Sequence, residues 1–152
     1  MALTAEEQIQ ANLATILRSV AGVKMAYDRA PASIPPNELP ACVTFPGRAD
    51  KTGNTGPTWL ELERTFFLRI YVTPIQAGET GNAESKAIPF ISLVRSKILA
   101  YPAVKAAGFW SDMQMDGDSG VAVLQYANEQ FLGVEHQVRI RYRVRYTYAA
   151  GE

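Results

Sequence analysis

The chain has 152 residues, 47% of them hydrophobic, which is room for one domain with a proper core and too little for two. Its 15 lysines and arginines balance its 15 aspartates and glutamates, which argues against a basic protein that coats nucleic acid. The one cysteine, Cys42, excludes an internal disulfide framework and a multi-cysteine metal site, in keeping with a reducing compartment.

The opening MALTAEEQIQANL carries acidic residues where a signal peptide needs basic ones. No apolar run approaches the roughly 20 residues that span a bilayer, so the expectation is a soluble, unexported chain with no membrane partner. Thr4 and Glu7 form a capping box, each side chain able to bond a free backbone N–H at a helix start. Ile9, Leu13, Ile16, Leu17 and Val20 follow as one stripe, and Gly22 suits a left-handed residue past the helix end. Residues 23–29 read as a short strand, and the four prolines of APASIPPNELPA impose an extended connection. Residues 41–45 read as a strand entering the core.

The stretch 46–58, PGRADKTGNTGPT, has no apolar residue larger than Ala49 and reads as an exposed loop. From Thr58 to Thr73 the period becomes two: Leu60, Leu62, Phe66, Leu68, Ile70 and Val72 on one face, Glu61, Glu63, Thr65 and Arg69 on the other. Residues 74–85 read as a connecting loop before a second helix that starts near Lys86 or Ile88 and stops at Pro102, with Pro89 in its first turn. After an irregular segment, 121–126 and 131–148 read as strands around a turn at ANEQ. Val134, His136, Val138, Ile140, Tyr142, Val144, Tyr146 and Tyr148 share one face of the last strand; Arg139, Arg141, Arg143 and Arg145 share the other. The order predicts an α+β domain, residues 1–152, with two helices packed on one face of a largely antiparallel, long-stranded sheet. Fifteen extended residues reach roughly 50 Å, more than two helices of about four turns can cover. Either the strands project or another subunit covers the remainder.

No motif assembles a catalytic site. His136, the only histidine, falls on an apolar face with no placed nucleophile, which predicts a sheet histidine and no general base. Cys42 has no basic neighbour and reads as an inert thiol. DMQMDGDSG, residues 112–120, imitates the start of a calcium loop, but Val123 stands where the bidentate glutamate belongs. GRADKTGNTG lacks the order that places a lysine and a hydroxyl on phosphates. No cofactor and no metal are expected.

The arginine stripe has three readings. It is a solvated strand face paired across to Glu61 and Glu63; it meets an acidic surface on a neighbouring copy or another protein; or it faces nucleic acid. Four cations need more than two carboxylates.

Taken in order, the capped helix EEQIQANLATILRSVAGV, the proline-rich link, the long strands and the closing DSGVAVLQYANEQFLGVEHQVRIRYRVRY resemble tail-terminator proteins of long-tailed bacteriophages, also called tail completion or minor tail proteins. The likeness is one of pattern and order over residues 4–148. It implies a non-enzymatic virion protein, assembled in the host cytoplasm, whose ring of usually six copies caps the head-proximal end of the tail tube. Such a ring stops tube polymerisation, docks onto the filled head through a neck protein, and lets genomic DNA pass without reading its sequence. From the residues themselves, Arg139, Arg141, Arg143 and Arg145 are expected at an interface or channel, and Arg48, Asp50 and Lys51 in a loop that orders against an adjacent ring. The alternatives are another neck component, such as a head-closure or joining protein, and a nucleic-acid-binding module.

Overall fold

The computed structural model describes residues 4–54, 59–75, 80–100 and 110–145. Helix α1 (Ala5–Arg18) begins where the capping box places it: the Glu7 N–H donates to Thr4 Oγ1 at 3.2 Å, and the Glu7 carboxylate accepts from the Thr4 N–H at 3.3 Å. Its stripe of Ile9, Leu13, Ile16 and Leu17 is buried, and Val20 stays buried beyond the cap at Ser19. Gly22 has φ +90°, the left-handed region that a residue without Cβ occupies freely. Strand β1 (Met25–Tyr27) is short, and a link holding one 3-10 turn, Pro36–Glu38, leads to β2 (Ala41–Asn54). Then come β3 (Trp59–Pro74), helices α2 (Thr80–Ala87) and α3 (Pro89–Ala100), and strands β4 (Trp110–Tyr126) and β5 (Glu129–Arg145).

The strands form one sheet in the order β1-β2-β3-β5-β4, antiparallel except for the β1–β2 pair. This is the α+β class, with helices packed against one side of a largely antiparallel sheet. On that side Phe66, Leu68, Ile70, Val72, Val134, Val138, Ile140 and Tyr142 meet Leu13, Leu17, Phe90, Val94 and Ile98 in one cluster. A smaller cluster seals the opposite side at one end, where Ile34 and Leu39 of the proline-rich link cover Val43, Tyr71, Leu124 and Phe131.

Several expectations need correction. Residues 46–54 are not a loop: β2 runs through them, with register shifts against β3 after Pro46 and after Lys51. Each shift is a bulge, which absorbs residues such as Gly47 that break strand alternation. Residues 55–58 of that expected loop lie outside the described residues. Within 74–85, Pro74 still belongs to β3, and residues 80–85 are helical. The expected second helix is α3, which starts at Pro89, and the unexpected α2 precedes it as a separate helix because Pro89 has no N–H to continue the ladder. The segment 110–120, expected to be irregular, is part of β4, carried past its glycines by three register shifts against β5. The turn is tighter than expected, using only Ala127 and Asn128 at φ 50° and 67°, both left-handed as a two-residue hairpin requires. Tyr146 and Tyr148 lie outside the described residues.

The long β3–β5 register depends on Gly133. It sits opposite Tyr71 beside the bulge at Val72, and a Cβ there would overlap the Ile70 carbonyl oxygen. Gly120, at φ +65°, has open space around it. Gly133→Ala is therefore expected to cost about 3 kcal/mol or more, and Gly120→Ala about 1 to 2 kcal/mol of backbone strain. Urea unfolding of both variants checks this; equal losses would mean that β5 can move away from β3.

Candidate functional site: an arginine ladder on the sheet

The side of the sheet away from the helices changes character along its length. Beyond the Tyr71–Phe131 cluster, Phe45 and Phe67 stand opposite each other on β2 and β3, and from Thr65 to Glu61 the side chains of β3 on this face are polar or charged. The alternation of β5 puts Arg139, Arg141 and Arg143 on this face, and the antiparallel register sets Glu63 opposite Arg141 and Glu61 opposite Arg143. Thr65 stands opposite Arg139, so Glu63 reaches diagonally to that arginine as well.

The contacts are graded. Arg139 is held at three points: Nε lies 2.8 Å from the Asp116 carboxylate, Nη1 donates to Glu63 Oε1 at 3.2 Å, and Nη2 donates to Gln114 Oε1 at 3.0 Å. Arg141 Nη2 donates to Glu63 Oε2 at 3.3 Å. Arg143 Nε is 3.8 Å from Glu61 Oε2, an ion pair without a hydrogen bond. The Arg145 guanidinium stands 5.9 Å from the ring centre of Trp59, its cross-strand neighbour. Hold on the cation thus weakens from Arg139 to Arg143 and Arg145. The Asp116 bonds and charge, and then those of Glu63, raise the pKa of Arg139 above its ordinary value.

The acids lie deeper than the cations. Glu61, Glu63 and Asp116 keep 18%, 22% and 28% of their side-chain surface exposed, against 42% for Arg139 and Arg141 and 53% for Arg143. A partner approaching this face meets guanidinium groups above a floor of carboxylates.

The remaining charged residues of interest lie on the outer part of β2. Arg48 and Asp50 pair with each other at 3.2 Å and are both well exposed. Asp50 is opposite Glu63 on the ladder side, whereas Lys51, opposite Leu62, falls on the helix-bearing side. The structure therefore divides the candidate residues: the stripe and its glutamates form one network, and Lys51 stands apart from it. Asp116 and Gln114 were not anticipated as members. Gly117 and Gly120 are the signal that could have found them, since glycines inside a strand mark bulges, and a bulge turns Asp116 toward Arg139.

Asp118 accepts a hydrogen bond from the Gly120 N–H at 2.8 Å, so part of the calcium-loop imitation serves the chain's own backbone. Among the described residues no group of three potential metal ligands occurs, and no helix is long and apolar enough to cross a membrane. Cys42 is buried, and burial pushes its thiol pKa far up, away from the reactive thiolate. No family model matches the chain, and no curated protein matches its sequence.

His136 is fully buried beneath α3. Its Nε2 lies 3.2 Å from the Phe90 carbonyl oxygen, which can only accept, so Nε2 carries the proton and Nδ1 has no hydrogen-bond partner. Burial lowers its pKa below the ordinary 6.5; the Phe90 bond and Asp118 oppose that shift, and Arg95 adds to it. Below pH 6.5 the unfolded chain then binds a proton that the folded chain refuses, so stability falls as pH drops toward the lowered folded value. The loss should approach about 1.4 kcal/mol per pH unit at most, and His136→Leu should remove that part of the slope between pH 7 and 5. An unchanged slope in unfolding titrations would show that His136 titrates alike in both states. The graded contacts give a second expectation: Arg139→Ala lowers the unfolding midpoint by more than Arg145→Ala does. Thermal unfolding at low salt reads the order, and a reversed order contradicts the gradient.

Proposed function

We propose that this chain is a structural virion protein that forms a ring at the head-proximal end of a long-tailed phage's tail tube, ends tube polymerisation and joins tail to head. Its partners are further copies of itself, the tube protein and a neck protein, and it acts by placement without catalysis. The order of elements that resembles tail terminators supports this reading, and one observation carries it further: among the described residues the sheet is longer than its cover. On the helix-bearing side of β3, Phe66, Leu68, Ile70 and Val72 are buried, while Leu60 and Leu62 remain half-exposed. Val144 repeats this on β5, after a run of buried residues from Val134 to Tyr142.

Strands of 16 and 17 residues reach roughly 55 Å, whereas the 12-residue α3 spans about 18 Å. A half-covered apolar stripe at the end of a long sheet is the kind of surface that a neighbouring copy completes. Head-to-tail contacts of this sort close into a ring when the rotation between copies closes.

Native mass spectra over a concentration series, with negative-stain images of the same samples, test the proposal. The expected result is a closed oligomer with a central opening, and Leu60→Glu should shift it to monomer without altering the far-UV spectrum. A chain that stays monomeric alone and also fails to bind one end of tail tubes would overturn the reading.

A further inference from the structure

We infer that Glu61, Glu63 and Asp116 tune the arginine ladder to contact nucleic acid without retaining it. This deepens the ring reading and rests on it, because the wall of a passage is where such a surface would be used.

The ladder region lacks what a protein partner needs. Protein interfaces have apolar cores from which charged residues are depleted, yet Glu61, Glu63, Thr65, Arg139 and Arg141 form a polar field that meets an apolar side chain at its edge, the half-buried Phe67 opposite Gln137. A surface that offers mainly charge and hydrogen-bonding groups suits a partner recognised by charge, and a regular row of cations suits a regular row of anions. Along β5 the four arginines recur about every 6.6 Å over roughly 20 Å, alongside a duplex that presents a charge about every 1.7 Å.

The row is not left free to bind. Among the ladder contacts of the described residues, three carboxylates stand against four arginines. A phosphate that takes Arg139, Arg141 or Arg143 must compete with a carboxylate already beside it. Counterion release then gives little net gain, because these arginines are neutralised by the protein itself. The outward guanidinium edges still offer donors to a passing phosphate, so contact is possible and residence is short.

The experiment measures fluorescence anisotropy of a labelled duplex of mixed sequence with the full chain, from 50 to 200 mM salt. Wild type is compared with the triple variant Glu61→Gln, Glu63→Gln, Asp116→Asn, each checked for oligomeric state by native mass spectrometry. Wild type should bind weakly with a shallow salt slope. The triple variant should bind at least about tenfold more tightly at 50 mM. Its log–log slope should be steeper by about 2.7, a roughly 40-fold larger loss of affinity over that salt range. Asp116→Asn alone, on an edge strand, leaves the β3–β5 pairs intact. It should give a smaller gain that Arg139→Gln abolishes, and it decides the matter if the triple variant does not fold. No tightening in the folded variants, or a wild type that already binds with the slope of four free arginines, overturns the inference. A monomeric protein that shows the expected tightening would sink the ring and leave the carboxylate effect standing.

Discussion

Because β3 and β5 stay paired from Pro74 opposite Phe131 to Trp59 opposite Arg145, one register decides what both faces of the sheet contain. A slip of one residue would carry the arginines under the helices and bring Val138, Ile140 and Tyr142 out to water. Buried guanidinium groups without partners cost several kcal/mol each, so the core and the ladder enforce the same alignment from opposite sides. Gly133 fixes it locally, because only a residue without Cβ fits against the Ile70 carbonyl beside the bulge at Val72.

That alignment also divides the helix-free side. At one end Tyr71 packs edge-on against Phe131 and Tyr126, with ring centres 5.4 and 5.5 Å apart, under the proline-rich link. At the boundary Arg69 bonds Glu135 at 2.6 Å and lies 5.1 Å from the ring centre of Phe45. Beyond it the network of Glu63, Arg139 and Asp116 begins. The apolar end needs the link as a lid; the charged end needs none, since each carboxylate is satisfied by a neighbouring strand. Exposed pairs of this kind contribute about 0.2 to 1 kcal/mol each, so the network specifies register more than it stabilises.

What could be read from the sequence was what repeats. The capping box, the stripe of α1 and the period-two runs of β3 and β5 each involve many residues that agree with one another, and agreement survives a local exception such as Arg64. What could not be read was strand held together by pairing against composition. Residues 46–54 contain Pro46, Gly47, Gly53 and Asn54, all poor strand formers, and they become β2 because β3 offers a long partner edge. Asp112 to Gly120 follow β5 in the same way. The third carboxylate of the ladder was hidden for that reason: Asp116 belongs to a segment whose own pattern is not that of a strand.

Arg64 shows how the extended hairpin is held. It breaks the alternation of β3 by lying on the helix-bearing side, where Nε donates to the Tyr142 hydroxyl at 2.9 Å and Nη1 donates to the Gly47 carbonyl at 2.7 Å. Gly47 has no room for a side chain: a Cβ there would lie 2.5 Å from Phe67 Cε2 and 2.9 Å from the Thr65 carbonyl oxygen. The first bulge of β2 is thus clamped on one side by a guanidinium and on the other by an aromatic ring. Arg48, Asp50 and Lys51 leave the domain on paired strand, and not on a loop that waits for a neighbour to order it. Ordering a residue's backbone costs roughly 1 to 2 kcal/mol. An arm already ordered in the folded chain does not incur that cost at assembly, so a contact made through it can be small and still hold.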